Sequence, residues 1–305
     1  MQSEKRRAFL TGRRQPLGEW GQFINRLSRR VSGDVLDFGY YDGVGSARLL
    51  PRCTADVRQA RRLCAETNTK LVLAGVEQAQ AWTEHSVLWV EPETHLTRFQ
   101  AIEDQPGKWF VQPGCKLKDL VEAGLHQFEG APPYLSVAAW LADRVLCDWP
   151  TGQLAASGVL YASALLAEGS HVTLGPFGTN SRLALELPLL QKTVPQLFEL
   201  GRRDQALACQ QQVLWPGRYR LDALSPKAFG DINLAHLLLG HGGDLVWVEW
   251  LVIEALTQPI IVGQQQPPFR LMRAADLQAN ALELDEAIKQ LFDPHGIYPR
   301  ANQML

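Results

Sequence analysis

Gly240, His241, Gly242 and Gly243 fall within four residues between two apolar runs, in the stretch LLLGHGGDLVWVEWL. Glycine lets backbone N–H groups approach an anion closely and supplies positive φ without strain. The knot therefore has two readings, a cradle for a cofactor phosphate or a tight turn between buried segments. His241 is the histidine best placed for proton chemistry, since a general base must stand where backbone and substrate can meet. Its position between glycines equally fits a solvated turn residue, and the residues favour that reading. His236 and His241 are five apart, which misses the i, i+4 spacing of a helical metal pair. Asp143 and Asp148 flank Cys147 in what reads as a polar loop. No GxSxG, HExxH or Walker pattern is present.

The elements around these residues follow from periodicity and punctuation. Trp20, Phe23, Ile24, Leu27 and Val31 recur at helical spacing and predict an amphipathic helix with an arginine-rich outer face. The glycine-rich stretch VSGDVLDFGYYDGVGSARLL reads as a loop. Pro51 opens a helix with Thr54 as N-cap, Asp56 in its first turn, and Val57, Ala60 and Cys64 on one face. Asn68 ends it, and KLVLAG follows as a buried strand that reaches Gly75. SVLWVE is a short strand, and Pro106-Gly107 suits the turn of a hairpin. Leu117, Leu120, Val121, Leu125 and Phe128 form one helical stripe. APPYLSVAAWLADRV reads as a proline-led loop running into a small-residue stretch, and SGVLYASALLAEGSHVTLG as two strands turning at Glu168-Gly169. Residues 192–213 are predicted helical, residues 231–256 read as helix, glycine turn and strand, and Leu284, Ile288 and Leu291 mark a last helix that Pro294 and Gly296 end.

Composition narrows the functional classes. The 305 residues are 46% hydrophobic with a formal net charge of -2, enough for a sizeable core and no prompt for nucleic-acid binding. The five cysteines form no CxxC pair and are odd in number, so reduced thiols in a cytoplasmic protein are expected. KRRAFLTGRRQP has the paired arginines of an export signal but lacks the apolar region that should follow, and it reads as a basic tail. No segment approaches the roughly 18 apolar residues of a membrane span.

Five stretches, in order, resemble the FAD-linked oxidases of the vanillyl-alcohol oxidase and p-cresol methylhydroxylase type, and look most like the FAD-binding subunit of glycolate oxidase. They are LLPRCTADVRQARRLCAETNTKLVLAG, WFVQPGCKLKDLVEAG, SVAAWLADRV with SGVLYASALLAEGSHVTLG, DINLAHLLLGHGGDLVWVEWLVIEAL, and FDPHGIYPRANQM. The resemblance implies an α+β, two-subdomain FAD-binding fold of the p-cresol methylhydroxylase type with a much reduced C-terminal substrate region. Its divisions would be a tail and helix over 1–49, the flavin domain over 50–258 (subdomains about 50–115 and 116–258) and a short region over 259–305. It implies FAD held by Gly75, Gly114, Ser136, Ala138, Ala139 and Gly158, with Gly240 and Gly243 matching the closing turn. It further implies oxidation of a 2-hydroxy acid such as glycolate or lactate by hydride transfer to the flavin, and assembly with flavin or iron–sulfur oxidase subunits.

The residues depart from that pattern where the cofactor would lie. The loop after the first strand reads AGVEQAQAW, with Gly75 the sole glycine and Glu77 bringing a negative charge to a pyrophosphate position. Ala138 and Ala139 replace paired glycines, and Val246 and Glu249 replace a glycine and a threonine-like residue around Trp247. For a substrate carboxylate and a base, the C-terminal region offers Arg270, Arg273, His295 and Arg300 at no diagnostic spacing. Two readings stand: a working FAD subunit, or a cofactor-free structural or regulatory partner of a true oxidase subunit.

Overall fold

The computed structural model describes residues 18–76, 85–178, 188–227, 231–256 and 275–299. Two sheets and the helices on them give a mixed α+β architecture. The first sheet has the order β1-β2-β4-β3, built from β1 (Asp34–Tyr41), β2 (Val44–Leu50), β3 (Lys70–Leu73) and β4 (Val87–Val90). Its first pair is antiparallel and the other two are parallel. The second sheet is antiparallel throughout, in the order β5-β6-β9-β7-β8, from β5 (Phe99–Ala101), β6 (Lys108–Val111), β7 (Val159–Leu165), β8 (His171–Leu174) and β9 (Trp247–Glu254).

The N-terminal helix α1 (Glu19–Arg30) buries Trp20, Phe23 and Leu27 as its spacing predicts. Trp20 sits so closely over Gly45 of β2 that a Cβ there would collide with the indole ring. The stretch over 31–50 is not a loop. It is the β1–β2 hairpin, closed by Asp42-Gly43 with φ of 49° and 89°. Two consecutive positive φ values are the requirement of a tight hairpin turn, and Asp-Gly is a preferred pair for it. Alternating burial along β2 points Gly45, Ala47 and Leu49 into the core.

Helix α2 (Thr54–Thr67) buries Val57, Ala60 and Cys64, and Asn68 ends it in the left-handed region. Thr54 is its first residue and not its cap. Cys53 holds the cap position, and the Asp56 carboxylate reaches back to accept from the backbone N–H groups of Ser32 and Arg52. The hairpins predicted at Pro106-Gly107 and Glu168-Gly169 are present, with φ of 81° and 105° at their glycines.

The stripe over 117–128 is divided. Helix α3 (Leu117–Glu122) ends before Gly124, whose φ of 100° turns the chain into a 3-10 turn at His126–Phe128. The small-residue stretch after the proline-led loop is a buried helix, α4 (Val137–Ala142). The helical region over 192–213 splits into α5 (Pro188–Gly201) and α6 (Asp204–Gln210). The segment before the glycine knot is a 3-10 turn, Leu234–Leu238, and the last helix is α7 (Ala275–Phe292). Leu284 and Ile288 are buried on α7, and Leu291 is partly buried.

The seam between the two sheets is filled by side chains from both. Ala138, Ala142, Leu165, Ala167, Trp247, Ile297 and Tyr298 pack into the core of the first sheet. Polar ties cross the same seam. Arg58 of α2 grips Glu249 of β9 with two hydrogen bonds of 2.6 and 2.8 Å. Arg61 donates to the Ala167 carbonyl, and Tyr298 Oη donates to the Leu165 carbonyl at 2.8 Å. Among the described residues no helix is long and apolar enough to cross a membrane. All five cysteines are free thiols, four of them buried and Cys53 exposed.

Candidate functional site

Five of the residues singled out in the sequence converge on α4. Ser136 caps the helix, its Oγ accepting from the Ala139 N–H at 3.3 Å. The Val137 N–H donates to the Cys115 carbonyl at 2.8 Å, and the Ala138 N–H donates to the Pro113 carbonyl at 3.0 Å. The first three amides of α4, the ones a helix leaves free for an anion, are thus all spent within the protein. Gly114 lies between those two carbonyls, donates to the Leu96 carbonyl at 2.8 Å, and stands so close to Pro92 that a Cβ would strike its carbonyl. The tight fit accounts for a glycine at 114 with no cofactor.

Gly75, with φ of 86°, ends the first sheet facing the same helix. A Cβ on it would lie 3.7 Å from Glu93 Oε1 and 4.0 Å from the Ala139 methyl. Glu93 is ion-paired with Lys116. Ala138 and Ala139 are both buried. Glu77, Arg270, Arg273 and Arg300 lie outside the described residues, and His295 is exposed beyond the last helix.

The glycine knot packs against the other end of α4. The Gly240 N–H donates to the Leu141 carbonyl at 2.7 Å, and the Gly242 N–H to the Ala142 carbonyl at 2.8 Å. Gly240, Gly242 and Gly243 all have φ between 70° and 79°. Two amides that could cradle a phosphate instead satisfy carbonyls that the end of α4 leaves open. Gly158 is remote from this cluster. It immediately precedes β7, whose Val159 pairs with Ile253, at the end of β9 away from the knot. There its N–H donates to Ala155 and its carbonyl accepts from Glu254. A Cβ on it would meet the Glu254 carbonyl and Gln127 Nε2.

His241 is not a solvated turn residue. It is 2% exposed, and its Nδ1 has no hydrogen-bond partner among the described residues. Beneath the turn lies a polar cluster that the sequence reading missed. Tyr219 Oη donates to Asp244 at 2.8 Å, Arg218 Nε stands 3.2 Å from the same carboxylate, and Asp285 accepts from the Arg218 and Tyr219 backbone N–H groups. Neighbouring Arg144 pairs with Asp148 at 2.8 Å and donates to the Trp215 carbonyl. Asp143 accepts from the Val145 and Leu146 N–H groups, so the acids around Cys147 organise a turn. Among the described residues no group of three or more His, Cys, Asp or Glu side chains could hold a metal ion.

Burial sets the charge state of this region. It pushes His241 down to about 3, with Arg218 and Lys289 adding to the effect, and His236 down to about 4. Burial raises the Asp285 carboxyl to about 6. The two histidines titrate near ~6.5 in the unfolded chain, so below that pH the unfolded state takes up protons that the fold refuses, and stability falls. Asp285 works in the opposite sense, because on acidification the fold takes up its proton near pH 6, well above the unfolded carboxylate range. Burial raises the neighbouring Asp244 carboxyl as well, so two histidines act against two carboxyls, and the unfolding free energy is expected to drop by at most about 2 kcal/mol between pH 6.5 and pH 5. Urea denaturation across that range checks it, and a flat profile would contradict the buried, neutral state of the histidines.

No family profile and no curated protein matches this sequence. Solved structures similar to it include Physcomitrella patens BBE-like 1, at 12% identity over 76% of this chain and 44% of that chain, with a TM-score of 0.44. Another is 4-ethylphenol oxidase from Gulosibacter chungangensis, at 15% identity, 78% and 43% coverage and a TM-score of 0.45. A third is the Acremonium strictum glucooligosaccharide oxidase, whose FAD is described as 6-S-cysteinyl, 8α-N1-histidyl, at 14% identity, 76% and 42% coverage and a TM-score of 0.42. The chain spans less than half the length of these proteins. At such scores the likenesses assign no residue a role.

Proposed function

We infer that this chain keeps the architecture of the FAD-linked oxidases without their cofactor, and serves as a noncatalytic structural or regulatory partner of an oxidase subunit. The observation that carries this reading is the internal use of the amides that a pyrophosphate would need. The first three N–H groups of α4 go to Cys115, Pro113 and Ser136, and those of Gly240 and Gly242 go to the other end of the same helix. An FAD pyrophosphate is held by such groups when they are open. Here each has a protein acceptor, so the residues present do not fit the group.

Two further features support the reading. Trp247, Tyr298, Ala138 and Ala142 close the seam between the sheets, and Arg58–Glu249 ties it. The Glu93–Lys116 ion pair stands beside Gly75, so an anion there would have to compete with Glu93 for its lysine. The working-flavoprotein alternative, with glycolate or lactate as substrate, would need this packing to open and these hydrogen bonds to be exchanged for bonds to phosphate.

The test is addition of FAD to the purified chain followed by thermal unfolding. A ligand that binds only the folded state must raise apparent stability. No shift in the melting temperature is expected up to millimolar FAD. The partner role is checked separately by co-expression with oxidase subunits, in which a stable complex with a flavin-bearing chain is expected.

A further inference from the structure

The last helix and the residues after it belong to different cores. α7 packs Ala281, Leu284, Ile288 and Phe292 into the core of the second sheet. Ile297 and Tyr298, just beyond it, are buried in the core of the first. The strap over 293–298 therefore crosses the seam, with Pro294 and His295 exposed on its outer bend and Gly296 turning at a φ of 60°. Part of its hydrogen bonding needs neither sheet. Asp293 accepts from the Ile297 and Tyr298 N–H groups at 2.8 and 2.9 Å, and Lys289 of α7 donates to Asp293 at 2.7 Å. Single groups tie the strap to the sheets. The Leu71 N–H of β3 donates to the Ile297 carbonyl at 3.0 Å, Lys70 donates to the Gly296 carbonyl, and Tyr298 Oη donates to the Leu165 carbonyl of β7 at 2.8 Å. β3 stands at an end of its sheet, so the strap covers that edge at Leu71.

The corner under the strap is incompletely satisfied. Trp247 is 3% exposed and its Nε1 has no hydrogen-bond partner among the described residues, and the same holds for Arg61 Nε. Both residues stand beside Tyr298, whose hydroxyl is surrounded by Arg61, Cys64, Asp293 and the Trp247 backbone N–H. A buried donor without a partner carries its full desolvation cost, and contact with water removes that cost. Lifting the strap brings water to this corner, which offsets part of the packing lost by Ile297 and Tyr298. We propose that residues 293–298 are a latch on the seam. The latch lifts from the end of α7 while both sheets stay folded, and it uncovers the edge of β3 and the seat of Tyr298 between Arg61, Cys64 and Trp247. Folded chains open locally in such units at free energies below that of global unfolding. The inference concerns the packing of the chain and holds whether or not FAD binds.

The native thiols report the opening. Cys64 is buried in the same core as Ile297 and Tyr298, whereas Cys115, Cys147 and Cys209 are buried in the other core and Cys53 is exposed. The full chain is incubated with iodoacetamide under native conditions, and labelling at each cysteine is followed by peptide mass spectrometry. Cys53 should react first. Cys64 should follow, about tenfold or more faster than the other three, which wait for global unfolding. Below the unfolding transition its rate should barely change with urea, while theirs rise steeply, because a small opening exposes little surface. Tyr298→Phe keeps the ring and loses the bond to Leu165, and it should speed the labelling of Cys64 by about fivefold. Labelling of Cys64 in step with Cys115, Cys147 and Cys209, in rate and in urea dependence, would overturn the proposal by making the strap a fixed part of the fold. A Cys64 rate that Tyr298→Phe leaves unchanged would overturn it too, by placing the opening elsewhere.

Discussion

Replacing Asp222 by alanine should lower the unfolding free energy by about 4 kcal/mol, the largest effect expected of any single substitution considered. Asp222 and Arg220 are both fully buried. The carboxylate receives Arg220 Nε at 3.0 Å and Nη2 at 2.8 Å, and also the Gly152 N–H at 2.7 Å. The guanidinium donates further to the Cys147 and Trp149 carbonyls. Through this one pair the segment around 220 is stapled to the stretch from 147 to 152. Alanine would leave a buried cation with carbonyl oxygens but no counter-charge, and would strand the Gly152 amide as well. Asparagine keeps one acceptor and should cost about half as much. Urea denaturation of the two variants checks both values, and a loss below about 1 kcal/mol for alanine would mean that water reaches the pair.

Arg58→Ala is expected to cost about 3 kcal/mol, and here the partner's burial decides the magnitude. Glu249 is 2% exposed while the Arg58 side chain is 39% exposed, so losing the arginine harms more than losing the carboxylate. Without Arg58, the Ser163 hydroxyl, at 3.1 Å, is the one partner left to the Glu249 carboxylate among the described residues. The carboxylate in turn holds Arg58 firmly in its charged form, through their hydrogen bonds above all. Glu249→Gln placed on Arg58→Ala should recover about half of the loss, because a neutral amide needs no counter-ion. A double-mutant cycle with no coupling between positions 58 and 249 would remove the tie from the account of how the two sheets are joined.

Local elements were readable from the sequence where a single device controlled them. The periodicity of α1, the left-handed stop at Asn68 and the glycines of the hairpins at 107 and 169 each act within a few residues. The β1–β2 hairpin had its own local signal in Asp42-Gly43 and the alternation of Gly45, Ala47 and Leu49. Four glycines in one stretch drew the reading toward loop. α4 was missed because six residues of helix offer too few turns for a pattern, and because its buried face is the whole helix. Long-range chemistry was not legible. Arg58 and Glu249 are 191 residues apart, and nothing near either one announces the other. His241 read as solvated because the glycine knot packs against α4 and the charges beside it come from Arg218 and Lys289, none of which is local to the turn. The same limit applies to the cofactor positions. The sequence could mark Ala138 and Ala139 as altered, but which acceptors use the amides of α4 depends on Pro113, Cys115 and the cap.

The most direct measurement is the visible absorbance of the chain purified without added cofactor, repeated after incubation with millimolar FAD and removal of the excess. The amides of Val137, Ala138, Ala139, Gly240 and Gly242 are committed to protein acceptors, so the protein should be colourless in both samples, with no flavin band and no FAD released on denaturation. A yellow protein, with flavin retained in stoichiometric amount after the excess is removed, would contradict the account.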